Sequence, residues 1–171
     1  MSQEEHKTTI DLYNQYVAPT YGRFNIFPKR GEGVFLWDEN GSKFLDFSGG
    51  VAVNSLGHSS PDLLKVISNQ AAELIHCSNL YQHRGQAELA RLLTEEVVKI
   101  NGKCFFCNSG AEANEGLIKL ARKFGQISLS STGEPRHEIV SFIGSFHGRT
   151  LTTLSAGDND KYREGFGPRP G

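Results

Sequence analysis

A chain of 171 residues has the size of one ordinary domain, and 37% apolar side chains with 19 glycines is an average globular composition. A net charge of −1, with no acidic or basic block, argues against nucleic acid or a membrane surface as partner. No apolar run approaches the roughly 18 residues of a bilayer span, MSQEEHKTTI is no secretory signal, and three cysteines suit a reduced, cytoplasmic protein.

The first 18 residues carry helical spacing at Ile10, Tyr13 and Val17 and stop before Pro19. From residue 33 the pattern changes to two short apolar runs, GVFLWD and KFLDF, separated by Asn40-Gly41. That is a hairpin signal, because both residues tolerate the left-handed backbone a tight turn needs. Pro61 opens a helix with Leu64, Ile67, Ala71 and Leu74 on one face, and a second helix covers about 85–100. KCFFC, 103–107, reads as a buried strand, followed by a helix over about 109–125 with Ala113, Leu117, Leu120, Ala121 and Phe124 in a stripe. SLSSTGEPRH is a loop, and EIVSFI, 138–143, is a second buried strand running into GSFHGRT. The last fifteen residues, rich in glycine and proline, read as loop. Helix and strand alternating from residue 85 predict an α/β chain built on a parallel sheet.

Three stretches carry chemistry. Cys104 and Cys107 form a C-x-x-C, but nothing nearby completes a tetrahedral zinc site, so no metal is expected. Residues i and i+3 of a strand point to opposite faces, which favours two small core side chains over a redox pair. Directly after them, Asn108-Ser109-Gly110-Ala111 opens a helix. Free backbone N–H groups, a hydroxyl and a glycine at a helix start suit a phosphate; the competing reading is a plain N-cap at Ser109, with Glu112 closing a capping box. The third is SFHGRT, at the C-terminal end of the second strand, where open α/β sheets bind ligands. Phe146 offers a flat face and Arg149 a fork matched to a carboxylate, against the alternative of a core ring and a solvated arginine.

In order along the chain stand YGRF at 21–24, RGEG at 30–33, LWD at 36–38, LDF at 45–47, GVAVN at 50–54, LGH at 56–58, SNLY at 78–81, NSGAEANE at 108–115 and FHGRT at 146–150. With these nine in sequence, the chain resembles the N-terminal part of the class III, pyridoxal-phosphate-dependent aminotransferases, most closely their acetylornithine branch. The resemblance implies an N-terminal segment plus the first part of the large domain of a fold-type I transferase, with an incomplete, mostly parallel sheet and flanking helices. Residues 1–60, with helix and hairpin, would belong to the small domain of the full enzyme, and 61–171 to the cofactor-binding large domain. Ser109, Gly110 and Ala111 would hold the phosphate of pyridoxal 5′-phosphate, Phe146 would stack on its ring, and Arg149 would bind the substrate α-carboxylate. Tyr21 and the Gly49-Gly50-Val51 turn would line the substrate channel, His147 would be a neighbour, and His58 structural. The substrates would be amino acids and 2-oxo acids, and the enzyme a homodimer. The implied reaction is N-acetylornithine plus 2-oxoglutarate giving N-acetylglutamate semialdehyde plus glutamate, a step of arginine synthesis. Another class III donor, such as succinylornithine, ornithine or γ-aminobutyrate, is the alternative.

In that family the aspartate under the ring nitrogen and the Schiff-base lysine follow the FHGRT motif. This chain continues for 21 residues after Thr150, and none of its nine lysines stands in the expected context. The expectation is therefore a first piece of a longer enzyme, or one half of a split one, with no catalytic residue of its own, inactive and poorly soluble alone. A thiol protein using Cys104 and Cys107 is the reading from a different class.

Overall fold

The computed structural model describes residues 3–169, which form two compact units, one ending at Tyr81 and one beginning at Gln82.

The first unit opens with α1 (Gln3–Tyr16) and is organised by a three-stranded antiparallel sheet in the order β1 (Pro28–Glu32), β2 (Phe35–Asp38), β3 (Lys43–Leu45). The Asn40-Gly41 turn forms as the sequence predicts. Asp38 accepts the N–H groups of Asn40 and Ser42 through Oδ1 at 2.9 and 2.8 Å, and Gly41 takes φ +82°. Strand β1 is an addition to the sequence reading: PKRGE has no apolar alternation and becomes a strand by pairing with β2, where the Arg30 guanidinium lies 3.8 Å over the Trp37 ring.

Next comes α2 (Gly49–Ala52), a single turn in which all four residues have positive φ. Helix α3 (Pro61–Glu73) starts as expected, with proline in its first turn and the Ser60 side chain accepting from the Leu63 N–H.

In the second unit, α4 (Arg84–Leu92) runs on into a π-helical turn, Leu93–Val98, that closes at left-handed Lys99. There the Thr94 hydroxyl donates back to the Ala90 carbonyl at 2.9 Å. Helix α5 (Gly110–Ile127) packs on α6 (Leu151–Ala156), which packs on α7 (Asp160–Arg163). The buried residues are few: Gly125, Thr153 and Leu154 among those described.

Two expected strands do not form. Neither 103–107 nor 138–143 is a strand among the described residues, although burial over 103–107 alternates with the two-residue period of one. A strand requires a hydrogen-bonded neighbour, and neither segment has one here. Cys107 is correspondingly exposed rather than buried, while Cys104 is half-buried. The glycine- and proline-rich tail is also more ordered than its composition suggests, since it contains α7.

Candidate functional site

Each half of the predicted cofactor site is set by local structure, and α5 joins the two. Ser109 is the N-cap: its hydroxyl accepts the Glu112 N–H at 3.2 Å. The Glu112 carboxylate returns one residue further back than in a standard capping box, accepting the Asn108 N–H at 2.6 Å and Asn108 Nδ2 at 3.3 Å. Those two bonds from Asn108 hold the Glu112 carboxyl below the usual carboxylate range. Helix geometry leaves the N–H groups of Gly110 and Ala111 without an acceptor inside the helix, at the positive end of its dipole. A Cβ built on Gly110 would meet nothing within 4 Å, so that turn is open to a ligand. The cap and the phosphate cradle are therefore compatible. Ser109 Oγ serves the cap while backbone donors remain for an anion, and that donor set fits a phosphate.

The loop bearing Phe146 and Arg149 is docked on the first turns of α5. Asn114 Nδ2 donates to the His147 carbonyl at 2.7 Å, and the Thr150 hydroxyl donates to Glu115 Oε1 at 2.6 Å. Between these bonds, Gly148 sits at φ +127°, where a Cβ would meet the Ala111 Cβ at 2.7 Å and Thr153 Oγ1 at 2.8 Å. Only glycine lets the loop approach this closely. Thr153, fully buried, accepts the Thr150 N–H at 3.1 Å and so fixes the start of α6 directly after the loop. The Ser109-Gly110-Ala111 turn and the loop that carries Phe146 and Arg149 are thus joined through α5 by hydrogen bonds.

Asn114, Glu115 and Gly148 escaped the sequence reading as site residues. Asn114 and Glu115 do lie three and four positions beyond Ala111, one helical turn along. That spacing is the signal that could have found them. Tyr21 and the Gly49-Gly50-Val51 turn belong to the first unit. Tyr21 lies exposed between α1 and β1. The turn is held by Asp46, whose Oδ1 accepts the Ser48 hydroxyl at 2.8 Å and the Ser48 and Gly49 N–H groups at 3.0 Å each. His58 Nε2 lies 2.7 Å from Asp46 Oδ2, and its backbone pairs with Gly33. Two shallow, open depressions also lie in this unit, one lined by Phe35, Trp37 and Lys43, the other by Arg30, His58 and Pro61. Neither includes a predicted cofactor residue.

Among the described residues no group of three or more His, Cys, Asp or Glu side chains could hold a metal, and no helix is long and apolar enough to cross a membrane.

Known proteins match along nearly the whole chain. The family model described as aminotransferase class-III matches residues 16–171. An acetylornithine aminotransferase from Caldanaerobacter subterraneus subsp. tengcongensis is 50% identical over 93% of this chain and 39% of its own length. One from Methanocaldococcus jannaschii is 45% identical over 99% of this chain and 41% of its own. Among solved structures, a Bacillus anthracis aminotransferase superposes with a TM-score of 0.87 at 26% identity, over 99% of this chain and 38% of that one. The ornithine aminotransferase of Toxoplasma gondii, in a structure described as having partial occupancy of PLP at its active site, gives 0.85 at 25% identity, over 97% and 38%. The chain spans about two fifths of the length of these relatives and corresponds to their N-terminal part.

Proposed function

The chain belongs to the class III aminotransferases, and from that premise we propose that it is the N-terminal part of an acetylornithine aminotransferase. The enzyme would move the amino group of N-acetylornithine to 2-oxoglutarate, in the cytoplasm, as a homodimer. The observation that carries this reading is the docking of the Phe146–Thr150 loop on the first turns of α5. It joins the loop that carries a flat ring and a guanidinium to the helix whose first turn offers backbone N–H donors. The names of the relatives at 45–50% identity support the substrate.

Residues 1–60 would be part of the small domain of the complete enzyme and 61–171 part of its large domain. Pyridoxal 5′-phosphate, when bound, supplies an aldehyde to take the amino group and a ring that withdraws electrons from the substrate carbon. The chain's own residues bind and orient. Ser109, Gly110 and Ala111 would hold the phosphate through backbone N–H groups and the helix dipole. Phe146 would cover one face of the ring and exclude water from it. Arg149 would take the substrate α-carboxylate as a two-pronged ion pair, fixing which substrate bond faces the ring. Tyr21 and the Gly49-Gly50-Val51 turn would line the channel for the rest of the substrate. None of these groups is a proton-transfer base; that lysine would lie beyond these 171 residues.

The test is a donor series on the holoenzyme with 2-oxoglutarate as acceptor. N-acetylornithine should give the highest kcat/KM, at least about tenfold over ornithine and γ-aminobutyrate, since a site built around one polar group discriminates by at least 1.4 kcal/mol. Ornithine or γ-aminobutyrate as the best donor would move the enzyme elsewhere in the family, and no transamination with any of them would end the reading.

A further inference from the structure

Helix α7 lies in the segment that composition marks as loop, and it is folded back onto the Phe146–Arg149 loop. The Asp158 N–H donates to the Ser145 carbonyl at 3.0 Å, and Asp158 Oδ2 accepts the Gly144 N–H at 2.9 Å. Arg163, whose side chain is 16% exposed, spans Asp158 at 3.3 Å and Asp160 at 2.7 Å. Asn159 caps the turn by accepting the Lys161 N–H at 3.1 Å. These bonds fix the short helix, and its Tyr162 faces the loop. The Tyr162 ring meets the Phe146 ring edge-on, with centroids 6.3 Å apart at 79°, and the Arg149 guanidinium lies 4.6 Å over the same ring.

We propose that Tyr162 is a positioning residue, the single ring that sets both the cofactor-stacking Phe146 and the carboxylate-binding Arg149; this rests on the roles proposed for those two residues. An edge-to-face neighbour restricts rotation of a phenylalanine ring about its χ angles. A ring face under a guanidinium restricts its plane through the π surface, without drawing on the N–H edge that a carboxylate needs. The arginine then has less rotamer freedom to lose when the substrate arrives, and that saving appears as affinity. Only the ring is required; the phenol hydroxyl is not.

The test uses the holoenzyme and glutarate, a dicarboxylate with no amino group, titrated by calorimetry, with Tyr162→Leu, Tyr162→Phe and Arg149→Ala. Loss of one cation–π contact should weaken glutarate binding about three- to tenfold in Y162L, with a similar rise in KM for the amino donor and a smaller change in kcat. Y162F should stay within about twofold of wild type, because the ring remains. If Y162L does not fold, Tyr162→Met removes the ring face while retaining volume, with the same loss expected. Wild-type glutarate affinity in Y162L or Y162M, with R149A weakened, would overturn the role of Tyr162 and leave that of Arg149 standing. Equal losses in Y162F and Y162L would also overturn it. Unchanged binding in R149A would instead refute the carboxylate clamp itself.

Discussion

Asp46 collects more bonds than any other carboxylate described, and what it holds is strained. Val51 and Ala52 have φ of 61° and 63°, a left-handed conformation that costs a residue with a Cβ about 1–2 kcal/mol. Such strain persists where the surroundings over-determine it. Asp46 provides that restraint by accepting from Ser48 and Gly49 just before the turn, and His58 locks the carboxylate from the other side. The bond to His58, then those from Ser48 and Gly49, lower the Asp46 carboxyl from the ordinary 3.8 to about 2. A carboxyl depressed in the folded state binds its proton more readily when unfolded, so its stabilisation is complete above about pH 4 and is lost as pH falls toward 2. In the complete enzyme, Asp46→Asn should therefore be less stable than wild type at pH 7, and the gap in urea midpoint should close between pH 4 and 2. Every other carboxylate titrates in both proteins, so the gap isolates Asp46. A gap that stays constant down to pH 2 would refute the linkage.

Helix α5 is the element on which the candidate site depends, and it was largely legible. Ser109 announces its cap, the spacing of Ala113, Leu117, Leu120 and Phe124 announces its length, and the helix forms at 110–127. The partners of its polar face were not legible. The Asn114–His147 and Glu115–Thr150 bonds join residues 33 and 35 positions apart, and no local pattern encodes such a pairing. Strand β1 and helix α7 were missed for related reasons: PKRGE becomes a strand by pairing, and DKYR becomes a helix where Arg163 pairs with Asp160 and with Asp158 just before it. Conversely, KCFFC and EIVSFI carry strand composition, but composition cannot provide a ladder partner. The docking bond itself can be measured. A double-mutant cycle of Glu115→Ala and Thr150→Val in the holoenzyme should give a coupling of about 0.5–1.5 kcal/mol, the net worth of one hydrogen bond. Strict additivity would mean that the loop is held on α5 by Asn114 and the Gly148 contact alone.

Across the whole molecule, apolar stripes form where the sequence places them and then stand uncovered. Leu117 and Leu120 on α5 are 62% and 66% exposed, and Val140, Phe142 and Ile143 in the second apolar segment are 95%, 88% and 94% exposed. A helix or strand with one apolar face is stable when another layer covers that face, and contiguous exposure on this scale marks an interaction surface or an aggregation liability. On the function proposed above, the covering layer comes from the other three fifths of the enzyme, and KCFFC and EIVSFI become strands when neighbouring strands pair with them. The 171-residue chain expressed alone should then bind the dye ANS strongly and melt over a broad range without a cooperative step. The complete enzyme should exclude the dye and melt sharply. In the complete enzyme, amide exchange of residues 103–107 and 139–143 should be slow, as in a paired sheet, and in the isolated chain fast. A sharp melt of the isolated chain without dye binding would show that these faces are covered by the chain itself or by a second copy, distinguishable by its sedimentation.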